Sequence, residues 1–494
     1  MRHYLDVLAG VIRENWHQPA LTDYALLEDN EGNSYTYGEM YRMIVRIGDT
    51  FRQNGLDKGA HIAVCGNNSA NWTIAYLAVS AYGGVVVTIS AAQPTGDIVN
   101  QLVFSKASAL IADQDILDRM DLQALPDLQF IMPLNGFSSL PNNVNKFSAE
   151  RQLNTQDVHF NTENIDNLTQ ICFTSGSTSN PKGVMLSARS ISNNVRNIIE
   201  GFPDDNNRAF LSFLPPSHMF GLMTESLGQL AKGKHIIFLG PLVSKTLIVD
   251  SINMVRPYAM AMIPAILDML IAAKGIERLK ELLSCCRQIH VGGASISNTS
   301  MDLLADSGIP VSVGYGVTEA GPLICDDLYL NFRPGSCGRA VPGMMIRIAE
   351  GEILVKGENV MLGYYKDPEA THRKIDADGW LHTGDAGYLD DDGYLYVTGR
   401  IENDMIVLPS GENVYPQNIE AIINSIDGVD ESLVVNRSGK LVALIYASMP
   451  LDIDNLLSTI NPELPLFSQL YDIEFVSEPF QKTAKQSIKR YLYR

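Results

Sequence analysis

The sequence predicts an α/β fold: a large N-terminal domain of layered parallel sheets and helices that includes a β-rich subdomain, followed by a small α+β C-terminal domain. Short apolar runs alternate with helical patterns over 1–150 and 167–318, as in parallel sheets covered by helices. After Pro334 the pattern changes to short alternating strands with Gly and Asp turns. At 494 residues the chain is also longer than a single core grows.

The expected elements follow in chain order. Apolar runs in the first part lie at 61–65, 85–89, 108–112, 171–173, 209–214, 235–239 and 288–291. Alternating strands of the β-rich part lie at 345–348, 352–356 and 394–397. The tail from about Ile401 predicts two or three helices and two strands. A boundary near Arg400 leaves a terminal domain of normal size. We therefore expect domains at 1–399, with the β-rich subdomain at about 335–399, and at 400–494.

One uncharged stretch, 71–96, is long enough to cross a bilayer. Its first half is helical, Gly83 and Gly84 break the helix, and a β-branched run follows at 85–89. A helix, a glycine turn and a buried strand are typical of a parallel sheet. We therefore expect core structure here and no integral membrane segment.

Composition and charge exclude several classes of function. The chain carries 37 Lys and Arg against 56 Asp and Glu, a net charge of −19, so nucleic acid is not an expected partner. Its six cysteines form no CxxC pair and no zinc spacing, which indicates reduced thiols. No signal peptide is visible at the N-terminus. These features predict a cytoplasmic location.

The strongest local motif is 173–184, Phe-Thr-Ser-Gly-Ser-Thr-Ser-Asn-Pro-Lys-Gly-Val. Small side chains let backbone N–H groups approach phosphate oxygens, and the lysine adds a positive charge. Gly183 stands where a P-loop carries Ser or Thr, so this is not a P-loop. The alternative is a flexible surface loop. The candidate phosphate-binding residues are Thr174, Ser175, Gly176, Ser177, Thr178 and Lys182.

Three weaker motifs lie farther along the chain. In 314–319, Gly-Tyr-Gly-Val-Thr-Glu, Tyr315 can stack on a nucleobase and Glu319 can bind a hard cation; the alternative is a turn after a buried strand. Asp385 and Arg400 can bracket a ribose or form a salt bridge. His218 lies on a loop after an apolar strand, where a lone histidine is more often structural.

The order and spacing of these motifs resemble the superfamily of acyl- and aryl-CoA synthetases, adenylation domains and luciferases over nearly the whole chain. The segments 351–357, 363–368 and 410–416 strengthen the resemblance, and the motif texture is closest to fatty acid–CoA ligases. The resemblance implies a mobile C-terminal lid with a hinge near Glu402. It also implies two half-reactions that use ATP, Mg²⁺ and CoA: a carboxylate attacks the α-phosphorus of ATP, and a thiol then displaces AMP.

The resemblance also implies a role for each matching residue. The segment 174–182 holds the β- and γ-phosphates, Glu319 binds magnesium, and Thr318 lies near the α-phosphate. Tyr315 stacks on adenine in a pocket lined by Gly293 and Ala294, and Asp385 and Arg400 hold the ribose. His218 lies between the acid and the nucleotide.

The adenylation lysine is expected near the C-terminus. Counting from Pro479 assigns it to Lys485. Anchoring instead on the segments Lys482-Thr483 and Ile488-Lys489-Arg490 places Ser487 at that position. We take Lys485, because adenylation needs a cation there, with Lys489 and Lys482 as alternatives. A solvated basic tail is the structural alternative.

The expected substrate is a fatty acid. Relatives that activate amino acids usually carry an aspartate on the loop that is occupied here by Pro215 to Phe220. No aspartate occurs between Ala209 and Met223. The expected acceptor is CoA. Two alternatives remain: an enzyme that loads the phosphopantetheine of an acyl carrier protein, and a catalytically weakened module that only binds acyl groups or nucleotides.

Overall fold

The computed structural model describes most of the chain. The described residues are 1–28, 32–122, 125, 127–139, 153–160, 162, 164–174, 182–202, 209–240, 244–294, 296, 298–327, 333–400, 406–407, 413–414, 416–437, 439–449, 451–464, 468–482 and 488–493. Contacts divide the chain into a first unit, Met1–Ile346 with Val355–Leu381, and a second unit, Arg347–Leu354 with His382–Arg494. This division differs from the expected boundary near Arg400, and the domain limits stay a prediction.

The helices cover the following bounds. They are α1 Tyr4–Glu14, α2 Ala25–Glu28, α3 Tyr37–Gln53, α4 Ala70–Tyr82, α5 Thr95–Ser105, α6 Gln114–Asp118, α7 Ala188–Gly201, α8 Met219–Gly221, α9 Gly228–Ala231, α10 Lys245–Val255, α11 Pro264–Lys274, α12 Ile276–Leu282, α13 Asn298–Ser307, α14 Pro368–Lys374, α15 Pro416–Asn424 and α16 Ile453–Ile460. None of those within the described part of the chain has the length and apolar character that a membrane span needs.

The strands cover the following bounds. They are β1 Pro19–Asp23, β2 Ser34–Thr36, β3 His61–Gly66, β4 Val85–Ser90, β5 Ala109–Ala112, β6 Phe130–Pro133, β7 Leu168–Thr174, β8 Lys182–Ser187, β9 Ala209–Ser212, β10 His235–Phe238, β11 Ala259–Met262, β12 Gln288–Val291, β13 Val311–Gly316, β14 Leu323–Asp326, β15 Arg339–Ala340, β16 Met344–Ala349, β17 Glu352–Gly357, β18 Gly363–Tyr364, β19 Leu381–Leu389, β20 Leu395–Arg400, β21 Ile406–Val407, β22 Asn413–Val414, β23 Val429–Arg437, β24 Lys440–Ala447 and β25 Asp472–Phe475.

Two large sheets lie in the first unit, and both are parallel at the centre. One has the order β15-β14-β13-β12-β11-β9-β10-β1-β2 and the other β18-β8-β7-β4-β3-β5-β6. The central pairs, such as β3 with β4 and β12 with β13, are parallel, whereas β7 with β8 and β13 with β14 are antiparallel. The uncharged stretch 71–96 forms most of α4 and all of β4, whose side chains are almost all buried, so the expectation of core structure is confirmed.

The remaining strands form smaller sheets, which complete the predicted α/β fold class with its β-rich part. Strands β16, β17, β19 and β20 form a four-stranded sheet in that order. In the second unit, β23 and β24 are antiparallel and β25 joins β24 in parallel. The tail was expected to hold only two strands. That expectation was wrong, because β25 and the short β21–β22 pair are also present. Strand β25 is a short edge strand in which only Ile473 and Phe475 are apolar, so its sequence signal is weak.

A buried polar face of α7 joins distant segments of the first unit. Ser190 Oγ donates to Asn359 O at 2.9 Å, and Asn193 Nδ2 donates to Asn359 Oδ1 at 2.8 Å. Leu323 N donates to Asn194 Oδ1 at 3.0 Å, and Asn359 Nδ2 donates to Leu323 O at 2.6 Å. These side chains are almost fully buried. Because buried amides are costly when unpaired, the network holds the segment before Leu323 in one position.

A second buried polar group, Glu225, holds the loop that follows β9. It lies in a π-helical turn, Leu222–Leu227, and its side chain is fully buried. Its Oε2 accepts hydrogen bonds from Ser212 Oγ at 2.9 Å, Phe213 N at 3.0 Å and Leu214 N at 2.9 Å. Burial raises the pKa of Glu225 to about 8. The three hydrogen bonds favour the charged form and lower the pKa, but the effect of burial is larger.

Replacing Asn359 by alanine should destabilise the first unit. The substitution removes the hydrogen bond that Leu323 O accepts and one of the two that Asn193 Nδ2 donates, the other going to Pro342 O at 3.1 Å. A buried polar group left unpaired costs about 1–3 kcal/mol. Urea unfolding of wild type and Asn359→Ala measures this loss. The exposed Asn100 on α5 is the control, and Asn100→Ala should stay within about 0.5 kcal/mol of wild type. Equal losses for both variants would contradict the role of the network.

The raised pKa of Glu225 predicts a pH-dependent contribution to stability. Between the ordinary glutamate pKa of 4.5 and about 8, the folded chain retains a proton that the unfolded chain has lost. The contribution of Glu225 to the free energy of unfolding is therefore complete below pH 4.5, and it declines as the pH rises towards about 8. Glu225→Gln lacks this proton. The free energy of unfolding of wild type, taken relative to Glu225→Gln, should decrease from pH 5 to pH 8. A difference that does not change with pH would show that Glu225 is ionised throughout.

Candidate active site

Three of the predicted segments lie at one edge of the nine-stranded sheet. Strands β9, β11, β12 and β13 are neighbours in this sheet and run parallel. The loop with His218 follows β9, Gly293 and Ala294 follow β12, and Tyr315 lies near the end of β13. The carboxyl ends of parallel strands meet at one edge, which is where open α/β sheets bind ligands.

The predicted phosphate loop connects two antiparallel strands. Thr174 ends β7 and is paired with Lys182, the first residue of β8. A strand pair rather than a strand and a helix agrees with the sequence interpretation that this is not a P-loop. The candidates Ser175, Gly176, Ser177 and Thr178 lie outside the described residues.

Tyr364 connects Lys182 with Glu319. Its hydroxyl donates to Glu319 Oε1 at 2.8 Å, and Lys182 Nζ lies 5.6 Å from the centre of its ring. Tyr364 is in place because β18 pairs with β8, with Tyr364 opposite Val184. Burial raises the pKa of Cys172 in β7, and the negative charge of Glu319 raises it further. The carboxylate of Glu319 is therefore close to the β7–β8 strand pair. A cationic and an anionic group therefore flank one tyrosine.

The turn that carries Thr318 and Glu319 is tightly held. It is a 3₁₀ turn, Thr318–Ala320, and Met361 N donates to Glu319 O at 2.8 Å. A Cβ on Gly316 would lie 1.7 Å from Pro322 O, so only glycine fits at this position, two residues before the turn. Carboxylate oxygens suit Mg²⁺, which commonly takes one or two protein carboxylates and completes its shell with phosphate and water. Half-buried Glu319 fits that use, and no larger cluster of potential metal ligands occurs among the described residues.

His218 ends the loop that Glu225 holds. Its side chain is half-buried, and its N–H donates to Pro215 O at 3.1 Å. Phe213 and Met219 on either side are buried. The half-exposed Phe220 lies against β12, because a Cβ on Gly292 would be 3.2 Å from its ring. The loop is therefore apolar around one imidazole.

The residues predicted for adenine binding lie at neighbouring strand ends. Tyr315 is half-exposed in β13, opposite Cys325 of β14. Gly293, with a φ of +84°, and Ala294 are exposed after β12, the strand beside β13.

The other predicted site residues belong to the second unit. Asp385 in β19 and Arg400 in β20 are directly opposite each other, and Asp385 is almost fully buried. The hinge residue Glu402 and the lysine Lys485 lie outside the described residues.

Of the alternatives to Lys485, Lys482 is engaged elsewhere in the second unit. Its Nζ lies 2.7 Å from Glu431 Oε1. Lys482 also forms an isolated antiparallel bridge with Ile488, and Lys489 N donates to Gln481 O at 2.8 Å.

The sequence interpretation missed two features of the site. Tyr364 was noted only as part of the segment 363–368, and no role was assigned to it. Ser190, Asn193, Asn194 and Asn197 on α7 recur at helical spacing, which is a usual mark of a solvated face, yet all four are buried. The signal that could have identified them is this amide stripe on a helix that directly follows the phosphate-loop hairpin.

Comparisons with known proteins agree with this architecture. The chain matches the AMP-binding enzyme family over residues 12–365. It is 32% identical to a 3-[(3aS,4S,7aS)-7a-methyl-1,5-dioxo-octahydro-1H-inden-4-yl]propanoyl:CoA ligase of Rhodococcus jostii, over 81% of this chain and 80% of that protein. It is 27% identical to 4-coumarate-CoA ligase 1 of Narcissus pseudonarcissus, over 94% of this chain and 89% of that protein.

Solved structures share the fold at lower identity. ATP-bound MatB from Rhodopseudomonas palustris has a TM-score of 0.84 at 23% identity, covering 99% of this chain and 98% of that one. A second structure is that of the o-succinylbenzoate CoA synthetase MenE from Bacillus subtilis in complex with its acyl-adenylate. It has a TM-score of 0.82 at 22% identity, covering 100% of this chain and 98% of that one.

These matches identify the class of enzyme as well as the fold. The chain is an ATP-dependent, AMP-forming ligase of a carboxylic acid and a thiol, and its reaction uses ATP, Mg²⁺ and CoA. The resemblance predicted from the motifs is confirmed: this chain belongs to the AMP-binding enzyme family.

Proposed function

We propose that this enzyme converts an acid with a largely apolar body into its CoA thioester. The acid carboxylate attacks the α-phosphorus of ATP, and the bond to the leaving pyrophosphate breaks. The thiolate of CoA then attacks the acyl carbon of the adenylate, and AMP leaves. An anionic nucleophile that approaches a polyphosphate needs its charge neutralised and its angle of approach held, so catalysis depends on positioned charges.

The observation that carries this proposal is the arrangement of Lys182, Tyr364 and Glu319. Lys182 stands at the end of the predicted phosphate loop, where its charge suits the β- and γ-phosphates. Glu319 is held by Tyr364 in an orientation that leaves one carboxylate oxygen for Mg²⁺. Bound there, Mg²⁺ neutralises phosphate charge. Thr318, the neighbour of Glu319, is proposed to face the α-phosphate.

The remaining roles stay as the resemblance implies them. Tyr315, Gly293 and Ala294 lie at neighbouring strand ends, which supports their assignment to adenine. Asp385 and Arg400, paired across β19 and β20, are assigned to the ribose. The hinge at Glu402 and the cytoplasmic location stay predictions.

The class of acid is supported by the loop after β9. Phe213 and Met219, near His218, are buried apolar residues, and burial raises the pKa of the Glu225 carboxyl that holds this loop to about 8. The sequence predicted a fatty acid. The named relatives are a ligase for a propanoyl group on a methyl-dioxo-octahydroindene ring system and a ligase for 4-coumarate, so ring-bearing acids belong in the comparison. We therefore propose apolar monocarboxylic acids as substrates, with straight-chain and ring-bearing acids as the two groups to compare.

The first test is pyrophosphate release from ATP. The panel contains straight-chain acids of two to eighteen carbons, 4-coumarate and 3-cyclohexylpropanoate, each with and without CoA. Turnover with an apolar acid that depends on CoA supports the proposal, and the best acid defines the substrate. Release that stops near one equivalent with CoA present would indicate a carrier protein as the acceptor. No release with any acid would favour the weakened binding module.

Replacing Glu319 should raise the requirement for magnesium. Glu319→Gln removes the charge but retains the shape, and losing a charge-assisted contact costs about 1.5–3 kcal/mol, or roughly 10- to 150-fold in affinity. The Mg²⁺ concentration for half-maximal pyrophosphate release measures this. Tyr364→Phe keeps the ring beside Lys182 and removes only the hydroxyl. The Mg²⁺ concentration for half-maximal release should therefore rise by less than about 10-fold in this variant. An unchanged magnesium titration for Glu319→Gln would remove this residue from the metal site.

Replacing Lys485 should separate the two half-reactions. Lys485→Ala is expected to slow adenylation at least about 100-fold, because a charge that stabilises the transition state is lost. Thioester formation from preformed acyl-adenylate should stay within a few-fold of wild type. Lys489→Ala is the matched control and should leave both steps nearly unchanged. Slow adenylation in Lys489→Ala instead would show that the alignment of the C-terminal lysine is wrong.

A further inference from the structure

Two adjacent cysteines, Cys285 and Cys286, place their sulfurs close together, and the proposed reaction uses neither of them. The two Sγ atoms are 3.9 Å apart. Cys285 ends a 3₁₀ turn, Leu283–Cys285, and is half-buried, whereas Cys286 is 6% exposed. Adjacent side chains in a strand point to opposite faces, so the short distance between these sulfurs depends on the turn. The pair is therefore a dithiol that solvent reaches through Cys285.

Hydrogen bonds hold this dithiol just before the amino end of β12. Cys286 N donates to Leu283 O at 2.9 Å, and Cys286 Sγ lies 3.4 Å from Pro257 O. The next residue is held as well, because Arg287 N donates to Tyr258 O at 2.7 Å. The residues assigned to adenine follow the carboxyl end of the same strand. The dithiol therefore lies at the opposite end of β12 from the candidate active site.

The surroundings of Cys285 favour its thiolate form. A hydrogen bond from Cys286 and the positive charge of Arg256 lower the pKa of the Cys285 thiol to about 7, although burial opposes them. The hydrogen bond to Cys285, together with burial, raises the pKa of Cys286 above its usual range. The thiolate is the form of cysteine that attacks soft electrophiles. Near neutral pH, Cys285 therefore supplies a nucleophile and Cys286 supplies a thiol beside it.

The distance between the two sulfurs indicates what the dithiol can hold. In a disulfide they are about 2.0 Å apart, so they would have to approach each other by about 1.9 Å. A soft atom that bonds both sulfurs at about 2.3 Å keeps them roughly 3.3–3.8 Å apart, depending on its bond angle, which is close to the 3.9 Å observed. A metal ion that needs three or more protein ligands finds no such cluster within the described part of the chain. A monosubstituted trivalent arsenical needs only two sulfurs, because its third bond is to its own carbon.

We propose that Cys285 and Cys286 together bind a monosubstituted trivalent arsenical through both sulfurs. With phenylarsine oxide, two arsenic–sulfur bonds form and the bond between arsenic and oxygen breaks. The oxygen leaves as water with the two thiol protons, and arsenic stays trivalent, so no oxidant or reductant is needed. Two bonds hold the group more tightly than one, because the second sulfur keeps it in place when the first is released. The inference is independent of the proposed function, since no residue assigned to ATP or to the acid takes part.

The test measures how firmly the folded chain retains one phenylarsenic group. The protein is treated with one equivalent of phenylarsine oxide, and its intact mass is recorded at increasing concentrations of the monothiol 2-mercaptoethanol. We expect wild type to need about 100-fold more monothiol for half-release than Cys285→Ser or Cys286→Ser, because each variant keeps only one of the two bonds. Dithiothreitol, which offers two thiols, should release the group from wild type.

Cys337→Ser is the matched control. Cys337 is also half-buried, and its charge adds to the effect of burial in raising the pKa of Cys325, so these two cysteines are close to each other. Cys325 is fully buried, however, and Cys337→Ser should retain the group as wild type does.

Three results would overturn the inference. They are a wild-type chain that takes up no phenylarsenic group, equal retention in wild type and Cys285→Ser, and loss of retention in Cys337→Ser. Cys285 is half-buried at a turn, so Cys285→Ser decides the question even where Cys286→Ser does not fold. Because the measured quantity is mass rather than activity, failure of the proposed function is seen separately, as the absence of CoA ester from every acid.

Discussion

The active-site edge depends on the buried hydrogen bonds between α7 and the two segments around Leu323 and Asn359. Asn194 and Asn359 hold both backbone groups of Leu323, just after the turn with Thr318 and Glu319. A backbone turn without regular secondary structure has few interactions of its own, so side-chain amides must define its position. The network therefore fixes the backbone that directly follows the turn with Glu319, the residue of the proposed magnesium site.

The same principle recurs at the other functional segments. Glu225 holds the backbone before His218, and Tyr364 holds the carboxylate of Glu319. In each case a polar side chain forms hydrogen bonds with a segment that carries a proposed site residue.

Fold and chemistry differ in how far they could be predicted. The strands at 85–89 and 288–291 were predicted because β-branched or apolar runs bounded by turns are local signals. The resemblance, based on motif order, identified the enzyme class and proposed Thr318, Glu319 and Lys182. The edge strand β25 was missed, since an edge strand needs few apolar residues. Tyr364 was seen but given no role, since its function depends on the pairing of β18 with β8.

The sequence by itself determined the order of elements, the apolar periodicity that builds the two sheets, and the residue types available for phosphate, metal and acid. Only the tertiary structure decided which polar groups are buried and what satisfies them. Asn194 and Leu323 are 129 residues apart, and Ser190 and Asn359 are 169 apart. Apolar burial is non-directional and leaves a local pattern. A hydrogen bond is directional and requires one particular partner, which local patterns do not specify.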